Sequence, residues 1–334
     1  MASHQDTPPP SRSSHDNPAW LATYEGLRSA AVQWQKCTWL GIDTEFVRER
    51  TYHARLGLVQ ISDGQKIWLI DPLAIESLTP LGDVLKAPGI IKVFHAARED
   101  IEVLNHEIGC KPWPLFDTQR AAALAGFPLQ CAYASLVHEV LGVSLPKGTA
   151  RTNWLARPLS HEQLEYAAAD VRYLPAMARR LQSRLDELGR ATWLHEDLEQ
   201  LSRQALRAPD PQTQYRRIRG AAELRDVPLA RLHALAAWRE RTAIERDLPR
   251  GFVLRDEELL TLAVKNAENA KAVRELVSPR SSAYRRDAER LAVILATPGA
   301  PPEPAPGSLD ATQRSNVKRM QHQVRACAEQ LGVE

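Results

Sequence analysis

Cysteine is scarce in this chain of 334 residues, and its four copies, Cys37, Cys110, Cys131 and Cys327, stand far apart. None of them forms a Cys-x-x-Cys pair, so neither a thiolate metal site nor a disulfide framework is expected, and a reducing compartment fits. Long apolar runs are missing too. The longest stretch without a charge, Ala121 to Val137, is broken by Gly126, Pro128 and Gln130. It predicts a buried helix, a turn and a second helix, too short and too interrupted to span a bilayer. Met1 to Pro18 has neither a basic start nor an apolar core, which speaks against a signal peptide or anchor and predicts a disordered tail over 1–18. These absences point to a cytoplasmic protein with no membrane contact.

A strong excess of one charge is also lacking, since the net charge is only +2. That small number conceals an asymmetry. Residues 1–201 carry 20 Lys and Arg against 24 Asp and Glu, whereas residues 202–298 carry 19 against 13. An acidic first part joined to a basic second part suits a cation-holding catalytic domain with an appendage drawn to phosphate. A solvated basic surface without a partner reads equally well from charge alone. Apolar residues make up 44% of the chain, enough for a sizeable core, and the length suits two or three domains.

The apolar pattern then divides the chain. Thr38 to Phe46 reads as a buried strand. Arg55–Ser62 and Lys66–Ile70 flank a turn with Asp63-Gly64, the signature of an antiparallel hairpin. Ile90 to Phe94 is a further strand, followed by a helix from about Ala97 to Asn105, and Tyr133 to Leu141 is helical. Ser160-His-Glu-Gln163 is a capping-box pattern that opens another helix. The prediction is an α/β domain on a mixed sheet over 19–207. After Ala208-Pro-Asp-Pro211 the spacing of Leu229, Leu232, Leu235, Ala236 and Arg239, and of Leu259, Leu260, Ala263 and Val264, predicts an all-helical domain over 212–298. A proline-rich linker over 299–308 and a last helical segment over 309–334 complete the chain.

Three acidic words carry the chemistry. Asp43-Thr-Glu45 sets two carboxylates two apart on a strand, hence on one face, where neither serves packing. Asp100 follows the strand ending at Phe94, in the first turn of a helix whose dipole alone would favour an acid. Tyr166-Ala-Ala-Ala-Asp170 sets a tyrosine and an aspartate at i and i+4 on one helix face, with small residues between them that permit close approach to a sheet. Each word alone has an ordinary surface explanation.

Together, in this order and on these elements, Asp43, Glu45, Asp100 and Asp170 resemble the three motifs of the DEDD exonuclease superfamily, and Tyr166 marks its tyrosine subfamily. The surrounding words resemble the ribonuclease D family: Asp43-Thr-Glu-Phe-Val-Arg48, Thr51-Tyr52, Leu56-Gly-Leu-Val-Gln60, Ile70-Asp-Pro-Leu73, Phe116-Asp-Thr-Gln119, Arg151-Thr-Asn-Trp-Leu-Ala-Arg-Pro-Leu159 and Glu165 to Asp170. The likeness covers almost all of residues 38–200. It implies a ribonuclease H-like fold and 3′→5′ hydrolysis of RNA to nucleoside 5′-monophosphates, with single-stranded 3′ ends and transfer RNA precursors as substrates of a monomer.

Four clustered carboxylates raise one another's pKa unless cations neutralise them, and an all-oxygen set favours Mg²⁺ or Mn²⁺ over zinc. Two such ions about 4 Å apart can clamp an in-line attack on a phosphodiester. The family arrangement implies that Asp43 bridges both ions, that Glu45 and Asp170 complete the nucleophile-side ion, and that Asp100 holds the other, partly through water. Tyr166, with an ordinary pKa of about 10, orients the attacking water rather than binding metal.

Asp117 has two readings, support of the site or a helix cap. His95 reads as a packed, hydrogen-bonded histidine. Lys147, Arg151 and Trp154 are candidates for lining the RNA path, with a core role as the alternative for Trp154. In the second domain Leu235-Ala-Ala-Trp-Arg239, Arg241, Ala243, Arg246-Asp-Leu-Pro249 and Val253-Leu-Arg-Asp256 resemble an HRDC domain, with Trp238 and Pro249 as core and turn residues. The family often carries two such modules. Here only the opening of a second follows the linker: either the chain is naturally shortened or the second module has been cut, and the resemblance then no longer implies enclosure of RNA by two modules. Two other functions fit the acids: a DNA 3′→5′ exonuclease, and a nucleic-acid-binding module with an inactive nuclease fold.

Overall fold

A computed structural model describes residues 17–145, 152–304, 306–307 and 309–333. The chain forms two compact units. One comprises Met1–Val47, Arg55–Arg207 and Met320–Glu334, and the other Arg48–Ala54 and Ala208–Arg319. The break near Ala208 is where the sequence predicts it, but Arg48–Ala54 groups with the helical unit rather than with the sheet that flanks it in sequence.

In chain order the first unit runs β1 (Ala19–Leu21), α1 (Tyr24–Trp34), β2 (Trp39–Val47), β3 (Arg55–Ser62), β4 (Ile67–Ile70), α2 (Thr79–Lys86), β5 (Ile91–Phe94) and α3 (Arg98–Ile108). It continues with β6 (Leu115–Asp117), α4 (Thr118–Leu124), α5 (Tyr133–Leu141), α6 (His161–Arg172), α7 (Leu174–Glu187) and α8 (Ala191–Ala205). The strands form one mixed sheet in the order β1-β4-β3-β2-β5-β6. β3 pairs antiparallel with both β2 and β4, while β1, β5 and β6 join in parallel. In the β3–β4 turn the Asp63 carboxylate accepts from the backbone N–H groups of Gln65 and Lys66 at 2.8 and 2.7 Å, which fixes the hairpin.

Two glycines admit the covering chain. A Cβ on Gly41 would lie 2.8 Å from Leu174 Cβ, so its absence lets the α6–α7 corner rest on β2 just before Asp43. A Cβ on Gly57 would lie 2.7 Å from the Trp154 carbonyl oxygen, where the segment leading into α6 crosses β3. Arg157 pins that segment. Its guanidinium forms a two-pronged pair with Asp71 at 2.8 and 2.7 Å and donates to the carbonyls of Gly57, Trp154 and Ala156. Lys92 is fully buried in β5, and its ammonium donates to the carbonyls of Ala87, Ile90 and Trp113 at 2.8, 2.7 and 2.6 Å.

The second unit holds α9 (Asp226–Glu245), α10 (Arg250–Val253), α11 (Asp256–Lys265), α12 (Ala270–Leu276), α13 (Ser282–Arg286) and α14 (Ala288–Ala296). Leu229, Leu232, Leu235, Ala236, Leu259 and Ala263 build its core, as the helical spacing predicts, together with Leu262 and Trp238, whereas Leu260 is only partly buried against it and Val264 is exposed, so the buried stripe of α11 runs through Leu262 instead. Arg239 falls on the same stripe and is buried. Its charge is met by Asp256 at 2.6 Å and by the Leu254 carbonyl. The Arg48–Ala54 segment is held within this unit. The Tyr52 hydroxyl donates to Glu240 at 2.5 Å, Arg250 lies over the Tyr52 ring, and Asp247 accepts from the N–H groups of Tyr52 and His53. The last segment forms a single helix, α15 (Ala311–Leu331), with no buried residue. No helix among the described residues is long and apolar enough to cross a membrane.

Candidate active site

Strand alternation points Asp43 and Glu45 to the same side of β2, and a register shift against β3 falls between Glu45 and Phe46. α6 brings in Asp170. Its start is fixed by the predicted capping box: Gln163 N–H donates to the Ser160 hydroxyl, and Ser160 N–H donates to the Gln163 side chain. Ala167 and Ala168 are fully buried, so α6 approaches the sheet closely. Asp43, Glu45 and Asp170 each offer a carboxylate oxygen, and all three oxygens lie within 4.8 Å of one another.

Asp100 stands outside that tight trio. It is buried in the first turn of α3, and the Thr44 hydroxyl donates to it at 2.5 Å. Its placement depends on Asp117, which is buried at the end of β6. One Asp117 carboxylate accepts from the backbone N–H groups of Ala96, Ala97, Gln119 and Arg120. Both readings of Asp117 therefore hold: it caps α4 and also fixes the chain entering α3. Ala96 adopts φ 61°, a left-handed conformation that costs a non-glycine residue about 1 kcal/mol, and its bond to Asp117 offsets that strain.

The electrostatics are those of an acidic cluster short of positive charge. Burial, then the charges of Asp100, Asp170 and Glu45, push Asp43 well above the ordinary carboxylate range. Glu45 rises to about 8 through burial and the charges of Asp170 and Asp100. Burial lifts Asp100 to about 7 although Thr44 bonds to it. Asp170 rises to about 6 for the same reason, partly offset by a hydrogen bond from Tyr166. Among the described residues no Lys or Arg pairs with any of the four acids. Converging, mutually repelling oxygens with no protein cation fit hard divalent metal ions well.

The comparisons with known proteins agree with this geometry. Residues 18–186 match the 3′-5′ exonuclease family, and residues 229–295 match the HRDC domain. Ribonuclease D of Pseudomonas paraeruginosa is 40% identical over 299 residues, which cover 86% of this chain and 78% of that one. Ribonuclease D of a Shewanella species is 43% identical over 250 residues, 75% of this chain and 64% of its own length. The crystal structure of Escherichia coli RNase D superposes with a TM-score of 0.86 at 35% identity, covering 95% of this chain and 86% of that one. The chain belongs to the ribonuclease D family.

Tyr166 is half-buried beside Asp170. Burial and the charges of Asp170, Glu45 and Asp43 hold its hydroxyl above the usual tyrosine range, so it stays protonated. His95 is packed as expected, with Nδ1 at 2.9 Å from the Thr118 hydroxyl, and burial lowers its pKa. Trp154 is only 2% exposed and lies with its ring 6.2 Å from Tyr166. It is therefore a core residue beside the site and presents no open face to a base, which corrects its RNA-lining reading. Lys147 and Arg151 lie outside the described residues.

Three further residues shape the carboxylate cluster, and nothing in the sequence analysis singles them out. Thr44 sits between the two acids of β2 and holds Asp100. Tyr133 on α5 donates to the Ala169 carbonyl at 3.2 Å and accepts from Tyr173 N–H at 3.3 Å, so it braces α6 next to Asp170. Gln60 pairs directly opposite Asp43 across β2 and β3, is fully buried, and has no partner for its carboxamide. A glutamine inside the otherwise apolar run Leu56–Ile61 was the available signal.

Proposed function

We propose that this chain is a metal-dependent 3′→5′ exoribonuclease that acts as a cytoplasmic monomer. It releases nucleoside 5′-monophosphates from single-stranded RNA 3′ ends, including those of transfer RNA precursors. The observation that carries this reading is the set of three carboxylate oxygens within 4.8 Å, with Asp100 beside them, inside the stretch that matches the 3′-5′ exonuclease family. The E. coli relative is described as an exoribonuclease involved in structured RNA processing, which favours RNA over DNA.

Asp43, Glu45 and Asp170, with Asp100 beside them, are the residues that would hold the divalent cations. When bound, two Mg²⁺ or Mn²⁺ ions supply the positive charge and Lewis acidity for in-line displacement at the phosphodiester. The chain's own groups do the rest. Tyr166 keeps its proton and directs its hydroxyl towards the attacking water, and Asp170 fixes that hydroxyl. Thr44 and Asp117 hold Asp100 in place, and the α6 capping box sets the height of Tyr166 and Asp170 over the sheet.

Product analysis tests the reaction. Single-stranded RNA and its DNA counterpart, each incubated with Mg²⁺ or Mn²⁺, should differ, with nucleoside 5′-monophosphates accumulating from RNA. Nucleoside 3′-monophosphates or internal fragments would refute the chemistry. Equal release from DNA would refute the substrate assignment.

A further inference from the structure

Gln60 is a polar side chain in an apolar setting. It lies fully buried in β3, and its neighbours Leu58, Val59 and Ile61 are fully buried too. Neither the nitrogen nor the oxygen of its carboxamide has a hydrogen-bond partner among the described residues. A carboxamide offers two donors and an acceptor, and burying them unbonded gives up their bonds to water for nothing in return. Leucine or methionine would fill the same space without that loss, so the amide calls for a partner.

The register of the sheet says what the amide stands beside. Gln60 and Asp43 are directly opposed across the antiparallel pair of β2 and β3, so both side chains rise from the same face. Directly opposed residues have Cβ atoms about 4.5–5.5 Å apart, within the reach of a glutamine, whereas diagonal neighbours are roughly 7–8 Å away. On the other flank Gln60 is opposed to Leu69 of β4, whose side chain has no polar atom. The diagonal Ser62 hydroxyl already accepts from Gly64 N–H at 3.1 Å. α6 lies over this face, with the Val171 carbonyl oxygen 3.1 Å from where a Cβ on Gly41 would stand. The buried residues of that helix are Ala167, Ala168 and Val171, which offer no polar side chain. Asp43 is thus a carboxylate set directly beside an unengaged donor. Each carboxylate oxygen has two lone pairs, so a cation ligand can still accept a hydrogen bond, and such bonds fix the orientation of the ligand.

We propose that Gln60 is a positioning residue of the cation site, whose amide Nε2 donates to the Asp43 carboxylate when divalent ions are bound and so sets the orientation in which Asp43 holds them. This rests on the metal-dependent reading of the carboxylate cluster. Gln60 acts through Asp43 and needs no contact with the substrate.

The test binds Mn²⁺ to the full chain without RNA, with free ion measured by electron paramagnetic resonance, beside melting curves in EDTA. Gln60→Met keeps the length and bulk of the side chain and removes both polar atoms. In EDTA it should melt at or above the wild-type temperature, because no hydrogen bond is lost. Its dissociation constant for Mn²⁺ should nevertheless rise about tenfold or more, the usual effect of removing a partner of a metal ligand. Should the variant fold poorly, a crystal structure of the Mn²⁺-loaded wild type reads the contact without any substitution. Gln60 Nε2 within about 3.2 Å of an Asp43 oxygen supports the role. A carboxamide bonded only to water or to the sheet backbone overturns it.

The binding data keep the two readings apart. Equal Mn²⁺ affinity in the wild type and in Gln60→Met overturns the proposal, even if the variant melts lower, since that marks a packing role alone. A wild type that binds no Mn²⁺, or that binds it equally well after Asp43→Asn, sinks the metal-dependent reading instead.

Discussion

Asp43 illustrates how clustered, buried carboxylates strain the fold that holds them. Burial and three neighbouring carboxylates push its pKa well up, so the metal-free folded state favours its protonated form, whereas the unfolded chain ionises it at an ordinary carboxylate pKa of about 4. Asp43→Asn removes the repulsion while keeping the size. In EDTA at neutral pH the variant should therefore melt a few degrees above the wild type by calorimetry, since about 1 kcal/mol is worth 2–4 °C in a unit this large. Its nuclease activity should fall by about 10³-fold or more, the scale of losing direct transition-state stabilisation. Tyr166→Phe deletes one hydroxyl and no ligand. It should lower kcat about 10²-fold with cation affinity little changed, measured by titrating Mn²⁺ against activity. Lys92 makes the opposite case from burial alone. Its ammonium is pushed down to about 8 by burial, while three carbonyls accept its hydrogen bonds. Because its folded pKa lies below the unfolded value of about 10.4, the unfolded chain binds the extra proton between those limits. Lys92 therefore contributes stability that rises as pH climbs from about 8 to 10, a rise that Lys92→Met should abolish in a series of melts.

At the scale of elements, α6 is the part most plainly written in the sequence. The capping pattern of Ser160 and Gln163 marks its start and the small Ala167 and Ala168 its close seat, and both are found so, with Tyr166 hydrogen-bonded to Asp170 on one face. Ser160→Ala should lower stability by about 1 kcal/mol and reduce activity through the displaced Tyr166 and Asp170. Melting and kcat should move together. β2, β3 and β4 were legible for a related reason, because strand alternation and the Asp63-Gly64 turn are local signals. What stayed hidden depends on partners far apart in sequence. Arg157 looked like one more arginine in a family word, yet it joins Asp71, 86 residues away, to the carbonyls of Gly57 and Trp154. The bond from Thr44 to Asp100 spans 56 residues, and the grouping of Tyr52 with Glu240 spans 188. No periodicity encodes such contacts. For Trp154 the sequence allows both core and surface, because an aromatic near a basic word fits both, and only its burial decides.

Across the whole molecule charge is unevenly distributed, with an acidic first part and a basic second part. The first brings three carboxylates together, and in the second five arginines line one cavity, one of them, Arg246, paired with Asp287. The carboxylates also set a pH dependence. With Glu45 at about 8, Asp100 at about 7 and Asp170 at about 6, the metal-free fold binds protons that the unfolded chain has already released. Its stability should therefore fall as pH rises from about 5 to about 8 in EDTA, and Mg²⁺ or Mn²⁺ should restore it. Cation binding must displace those protons, so affinity should climb over the same window with measurable proton uptake by the buffer.

The most direct test follows a 5′-labelled single-stranded RNA through time with Mg²⁺, with Mn²⁺ or with EDTA, beside the Asp43→Asn protein. A ladder that shortens stepwise from the 3′ end, absent in EDTA and in the variant, is the predicted result. Undiminished shortening by Asp43→Asn, or intact RNA with either metal and the wild type, would contradict a cation-holding carboxylate cluster as the catalytic centre.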